Sequence, residues 1–236
     1  MLLSTSHRFL FFHVAKVAGL SMREALKEYA SEPEVFNRMR RPPRFVGGQP
    51  NRLYAMWESV TLHAQARQAR QTLPESTFAA FYKFAFVRNP WDWQLSMYHF
   101  ILKTDNHVRH EQVQAMSGFE EYLEWVVATD KPFAMGATKL QTTMLMDEEG
   151  HWLVDYVGRY ENLARDFAEV TGYLGIETPL PSLNQSRTRR EYRDEYTPYA
   201  RHLVETHFQT DIAALGYRYD GEIEGFGELP RNRPVP

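Results

Sequence analysis

Short apolar runs bounded by turn-forming residues alternate along this chain with longer stretches whose apolar residues recur at helical spacing. The short runs read as strands buried on both faces, the longer pattern as amphipathic helices. Phe9-Leu10-Phe11-Phe12 lies in a strand predicted over Arg8–His13, followed by a helix over Leu20–Tyr29. A helix around His63–Thr72, a strand over Phe81–Val87 and a helix over Trp91–Leu102 repeat the theme. Helices near Phe119–Ala128 and Thr138–Met146 follow, then a strand at Leu153–Arg159, a helix over Leu163–Leu174 and a last long helix over Pro198–Leu215. This alternation predicts an α/β chain with three layers, a central and mainly parallel sheet with helices on both faces.

Between these elements, residues 31–57 read as a long irregular segment with a turn at Gly47-Gly48-Gln49-Pro50. Residues 103–118 are polar and His-rich and predict a loop, and 221–236 a fraying tail. With no internal repeat and no linker, 1–236 reads as a single domain.

Two strand ends carry candidate chemistry. The first is His13-Val14-Ala15-Lys16-Val17-Ala18-Gly19-Leu20-Ser21. A helix starting here presents free N–H groups and the positive end of its dipole to an anion. Gly19 lets the backbone approach an oxyanion, Ser21 can cap the helix or offer its hydroxyl to a phosphate, and Lys16 supplies a mobile charge. It is not a Walker A loop, in which the Lys follows the last Gly and directly precedes Ser or Thr. An ordinary strand–turn–helix with a surface Lys is the other reading.

The second is Phe86-Val87-Arg88-Asn89-Pro90-Trp91-Asp92, continuing through Ser96 to Tyr98. Pro90 suits the first turn of a helix and Asn89 can cap it. Arg88 can fork two donors onto a phosphate, or merely pair with Asp92. Ser96 lies two helical turns beyond Asn89, on roughly the same face. Trp91, Leu95 and Tyr98 read as core or as a wall for an aromatic ring. Two such turns point to one ligand with two anionic groups.

Together these segments resemble the sulfotransferases that use 3′-phosphoadenosine 5′-phosphosulfate (PAPS), in the branch of the carbohydrate sulfotransferases and their bacterial relatives. In that family a loop of the form His-hydrophobic-Pro-Lys-Thr-Ala-Gly-Thr-Ser grips the 5′-phosphosulfate. A later Arg-Asn-Pro-aromatic-Asp-Arg…Ser-x-Tyr segment grips the 3′-phosphate. The resemblance implies a P-loop-NTPase-like sulfotransferase fold. It assigns cofactor binding to Lys16, Ala18, Gly19, Leu20 and Ser21 on the first turn, and to Arg88 and Ser96 on the second. It continues through Val154–Leu163, Leu180-Pro181-Ser182-Leu183-Asn184-Gln185-Ser186 and Asp211–Tyr217, and so covers about Arg8 to Tyr219. Ala15 stands where the family has Pro, Val17 and Leu20 where Thr is common, and Trp93 where it has Arg.

The implied reaction is direct in-line transfer of the sulfuryl group from PAPS to a hydroxyl of a small-molecule or glycan acceptor, chiefly a carbohydrate or glycoconjugate. Such a transfer needs charge neutralisation and a group to take the acceptor's proton. Lys16 fits the first task. His63 is the candidate base and Glu24, one turn into the first helix, its rival; His13 reads as structural, and no metal is required. The alternatives are a small-molecule kinase, which lacks an evident Mg²⁺ carboxylate and Walker Lys, and a non-catalytic nucleotide-binding protein on the same fold.

Composition adds boundaries. A chain of 236 residues can bury a full core, and without Cys it has neither disulfides nor Cys metal sites. A net charge of -3 argues against nucleic-acid or membrane surfaces. The stretch with Arg38, Arg40, Arg41 and Arg44 reads as a solvated loop or as a flap for an acidic acceptor. With no signal peptide or membrane span visible, the expectation is a cytoplasmic enzyme.

Overall fold

The computed structural model describes residues 1–31, 43, 45–50, 62–129, 140–181, 191–222 and 229–231. Arg38, Arg40, Arg41 and Arg44, and residues 182–186 of the family resemblance, lie outside them. The chain divides into two compact units, each assembled from separate segments: Met1–Phe86, Thr143–Leu183 and Pro230–Pro236 form one, Val87–Thr142 and Asn184–Leu229 the other.

The first unit is built on a four-stranded sheet in the order β1-β2-β5-β6. Its strands are β1 (Leu2–Ser4), β2 (Phe9–Phe12), β5 (Tyr82–Val87) and β6 (Tyr156–Arg159). β2 runs parallel to β5, with Phe9 opposite Tyr82 and Phe12 opposite Ala85. Every residue of β2, β5 and β6 is buried, as runs without polar alternation require of strands covered on both faces. β1 was not expected: three residues are too short to show a period. It pairs antiparallel with β2, Leu3 opposite Leu10, so the sheet is mixed rather than wholly parallel. Rings of Phe9 and Phe11 pack on Phe84 at 5.7 and 5.2 Å. Gly158 in β6 is glycine because a Cβ there would lie 2.5 Å from the Phe86 ring.

The helices of this unit are α1 (Gly19–Leu26), α2 (Ala66–Thr72), α3 (Glu75–Ala80) and α7 (Leu163–Leu174). α2 starts later than expected, because Gln65 caps it through a reciprocal bond with Gln68. His63 therefore stands in the turn before the helix rather than in it. Within residues 31–57, β3 (Phe45–Val46) and β4 (Gln49–Pro50) form a hairpin closed by Gly47 and Gly48, with φ of 58° and 78°. Two positive φ values in a two-residue hairpin loop are what glycine supplies without strain. In place of the helix expected over Thr138–Met146, the described residues show a single 3₁₀ turn, Thr142–Met144.

The second unit is mainly helical: α4 (Pro90–Lys103), α5 (His110–Gln114), α6 (Phe119–Ala128), α8 (Pro198–His207) and α9 (Gln209–Leu215), with a small hairpin of β7 (Tyr217–Arg218) and β8 (Gly221–Glu222). α5 lies inside the stretch expected to be a loop. The single helix expected over Pro198–Leu215 is broken at Phe208, where φ is -100° and ψ 21°. Phe208 is fully buried edge-to-face against Trp93, 6.1 Å between centroids. The break also brings Asp211, fully buried, to the chain at Gln141 and Thr142: it accepts from the Gln141 N–H at 2.7 Å, the Thr142 N–H at 2.9 Å and the Thr142 hydroxyl at 2.7 Å.

Burial pushes the Asp211 carboxyl up to about 6 from an ordinary 3.8, against the downward pull of the Thr142 and Gln141 donors. As pH falls from about 6 to about 4, the folded chain takes up this proton before the unfolded one does. Stability from this group therefore rises on acidification, by on the order of 3 kcal/mol, and is lost as pH climbs back. Asp211→Asn is expected to remove that slope from urea-unfolding free energies measured at about pH 7 and about pH 4.5. A variant with the wild-type slope would contradict the assignment.

Candidate functional site: two strand-end turns

The first turn lies in the first unit, between the end of β2 at Phe12 and the start of α1 at Gly19. Two of its residues that are not glycine adopt the left-handed region, Lys16 and Ala18, both at φ 61°. Such residues cost about 1–2 kcal/mol each and persist where the surroundings over-determine them, most often at ligand sites. Ala18 is the N-cap and its methyl accepts no hydrogen bond, so no cap side chain competes for the first N–H groups of α1.

Gly19 does not carry the unusual backbone. It is glycine because a Cβ there would lie 1.9 Å from both Cδ2 and Nε2 of His13. The turn therefore sits directly on the His13 imidazole. Ser21 is buried in the third helical position, so it cannot be the cap that the sequence allowed. Leu20 beside it is 52% exposed, Val17 is fully buried and Lys16 half-buried.

His13, read from the sequence as structural, lies in the interior, and its buried Nδ1 has no hydrogen-bond partner among the described residues. It is buried, stacks on Phe11 at 6.1 Å and leans on His63 at 4.8 Å. Burial first, then the nearby charges of His63, the N-terminal ammonium, Arg23 and Lys16, hold its pKa well below the usual imidazole value, so the ring stays neutral. His63 bonds the His13 main chain: its Nδ1 lies 2.8 Å from the His13 carbonyl. A carbonyl only accepts, so Nδ1 carries the hydrogen, and in the neutral ring the lone pair is on Nε2. Glu24 lies on the exposed side of α1 with its carboxylate 2.5 Å from the Lys27 ammonium. The first unit thus brings Lys16, Ala18, Gly19, Leu20 and Ser21 together with His13 and His63.

The second turn lies in the second unit. Asn89 caps α4 as expected, accepting from the Trp91 N–H at 3.1 Å, with Pro90 in the first helical position. Its Nδ2 donates to the Arg218 carbonyl at 2.8 Å, which ties the turn to β7. The Arg88 guanidinium makes a forked pair with Asp92, Nε and Nη2 donating at 2.7 and 2.8 Å. The pairing weighed as an alternative to phosphate binding is therefore present, and it fixes the direction of the fork. Ser96 is half-buried two turns along α4. Trp91 and Leu95 are core, and Tyr98 joins a ring cluster with Phe119 and Tyr122 at 5.3 and 5.2 Å. Trp93, where the family has Arg, is also core.

Gln141 and Asp211 brace this turn; Asp211 lies in the family-like stretch Asp211–Tyr217, whereas Gln141, inside a segment read as a helix, matched no motif. Among the described residues, Asp147, Glu149 and His151 lie close enough to share a metal ion, but Asp147 Oδ1 already accepts the N–H groups of Glu149 and His151, as in an ordinary Asx turn. Among the described residues no helix is long and apolar enough to cross a membrane.

The chain thus carries one strand-end turn with a Lys three residues before its Gly, and a second strand end with an Arg-Asn-Pro helix start. The sulfotransferase family matches residues 1–218, and the chain belongs to that family. Its reaction class is therefore sulfuryl transfer with PAPS as the co-substrate, which sets the kinase reading aside. Among solved structures it is similar to mouse sulfotransferase SULT7A1 complexed with PAP, with a TM-score of 0.49 and 12% identity over 89% of this chain and 86% of that one. No curated protein matches it.

Proposed function

We propose that the chain transfers the sulfuryl group of PAPS to a hydroxyl of a carbohydrate or glycoconjugate, with the first turn holding the 5′-phosphosulfate and the second the 3′-phosphate. The observation that carries this reading is the 2.8 Å bond from His63 Nδ1 to the His13 carbonyl, made beside the ring on which Gly19 rests. It fixes the His63 ring beside the His13 ring, against which the first residue of α1 packs.

The residues present fit the co-substrate. The first N–H groups of α1, Lys16 and the Ser21 hydroxyl are donors suited to the phosphosulfate end; Arg88 and Ser96 suit the 3′-phosphate. PAPS supplies the activated sulfuryl group. Lys16 neutralises the charge that develops on the leaving phosphate. His63 Nε2 takes the proton of the acceptor hydroxyl, and the His13 carbonyl steadies the imidazolium that results. Glu24 is the weaker candidate, because its carboxylate lies in solvent beside the Lys27 ammonium. The carbohydrate acceptor is supported by the branch that the motifs resemble.

The test is ligand selectivity. Adenosine 3′,5′-bisphosphate (PAP) is expected to raise the melting temperature well above the effect of AMP, with about 2.7 kcal/mol of stabilisation at a hundredfold excess over Kd. Arg88→Ala is expected to bring the PAP shift down to the AMP level. Equal shifts for both ligands on the wild-type protein would sink the role of the second turn. An acceptor screen with carbohydrate and phenolic hydroxyls then decides the acceptor class.

A further inference from the structure

The second turn is braced by a side chain that is uncharged and fully buried. The Gln141 amide closes a ring of two hydrogen bonds on the main chain of Arg88. The Arg88 N–H donates to Oε1 at 2.9 Å, and Nε2 donates to the Arg88 carbonyl at 2.8 Å. This is the pairing a neighbouring strand would offer, supplied one residue after β5 ends at Val87. Asp211 fixes Gln141 in turn by accepting its N–H at 2.7 Å, and it fixes Thr142 through two further bonds. Arg88 is thus held twice, its backbone by Gln141 and its guanidinium by Asp92. A cation held in this way loses little conformational entropy when an anion arrives, and it meets the anion with guanidinium N–H groups that the Asp92 pair does not take.

We infer that Gln141 is a positioning residue for anion binding at the second turn, acting through its two hydrogen bonds to the Arg88 backbone. This role rests on the assignment of Arg88 to the 3′-phosphate. Arg88 follows the last strand residue, and removing the amide takes away a hydrogen-bond partner of its N–H and of its carbonyl. A backbone adjustment to satisfy them swings the long Arg side chain, and misplacement of a binding group by about 1 Å is worth up to about 10²-fold.

Gln141→Met keeps the length and volume of the side chain while removing both bonds. It is expected to weaken PAP binding about tenfold and AMP binding less than about twofold, measured by titration calorimetry. KM for PAPS should rise in proportion, with kcat at saturating PAPS little changed. A purely structural Gln141 would lower the unfolding temperature and the active fraction but leave the PAP-to-AMP ratio and KM at wild type; that result overturns the inference.

If Gln141→Met does not fold, Gln141→Asn, whose shorter amide reaches only one of the two groups, is expected to lower the same ratio by a smaller factor. An unchanged ratio there is equally fatal. In an Arg88→Ala background Gln141→Met should cost the ratio nothing more, since the group it aims is gone. A further loss of similar size would show Gln141 acting without Arg88 and overturn the role. Arg88→Ala that leaves the ratio at wild type removes the assignment of Arg88 and this inference with it. Arg88→Ala that lowers the ratio while neither Gln141 variant does removes the inference alone.

Discussion

His63→Ala is expected to lower turnover by a factor of about 10²–10⁴ while leaving PAP affinity within about twofold of wild type. The separation follows from what His63 touches. Its Nδ1–H is spent on the His13 carbonyl, so the ring holds one tautomer and meets the acceptor with Nε2. Removing it leaves the α1 start and Lys16 in place, and with them the grip on the nucleotide. The imidazole must be neutral to accept a proton, so the acidic limb of the wild-type rate profile is expected to vanish in the variant. Glu24→Gln, by contrast, is expected to keep near-normal turnover. The opposite pair of results, normal turnover in His63→Ala and a large loss in Glu24→Gln, would transfer the base to Glu24.

Gly19→Ala is expected to damage both fold and activity. The added Cβ would sit 1.9 Å from two ring atoms of His13, a distance that no rotamer of an alanine relieves. The buried His13 ring is confined by Phe11 and His63, so it cannot swing aside cheaply. Overpacking of this kind costs about 1–3 kcal/mol or more, which for a chain of this size lowers the melting temperature by about 2–12 °C. Displacing His13 also moves the carbonyl that orients His63, so turnover should fall about as far as in His63→Ala. Adding His13→Ala to Gly19→Ala is expected to recover part of the melting temperature but not the turnover. A Gly19→Ala protein with wild-type melting temperature and turnover would show that the contact is not what constrains this position.

Local chemistry made a good part of this protein legible. The apolar runs at Phe9–Phe12 and Tyr82–Val87 could be placed because a strand covered on both faces has no polar alternation to hide it. The helices Phe119–Ala128 and Leu163–Leu174 have the expected bounds because amphipathic spacing is a short-range property. The Asn89-Pro90 helix start followed from capping and from the φ of proline alone.

Other features depended on residues far apart along the chain. β1 exists because β2 offers it an edge and Ser31 pairs with Leu3. The break at Phe208 follows from Trp93 and from Asp211 meeting Gln141, more than a hundred residues away in the first case and about seventy in the second. Gly19 is the sharpest instance. The sequence by itself determined that a glycine and a cation stand at a strand end before a helix, the pattern from which an anion site is expected. The tertiary structure decided why: positive φ fell to Lys16 and Ala18, and the missing Cβ of Gly19 makes room for His13. Steric exclusion between a turn and a side chain has no local signature, because its cause is the close packing of an interior that forms only once the chain has folded.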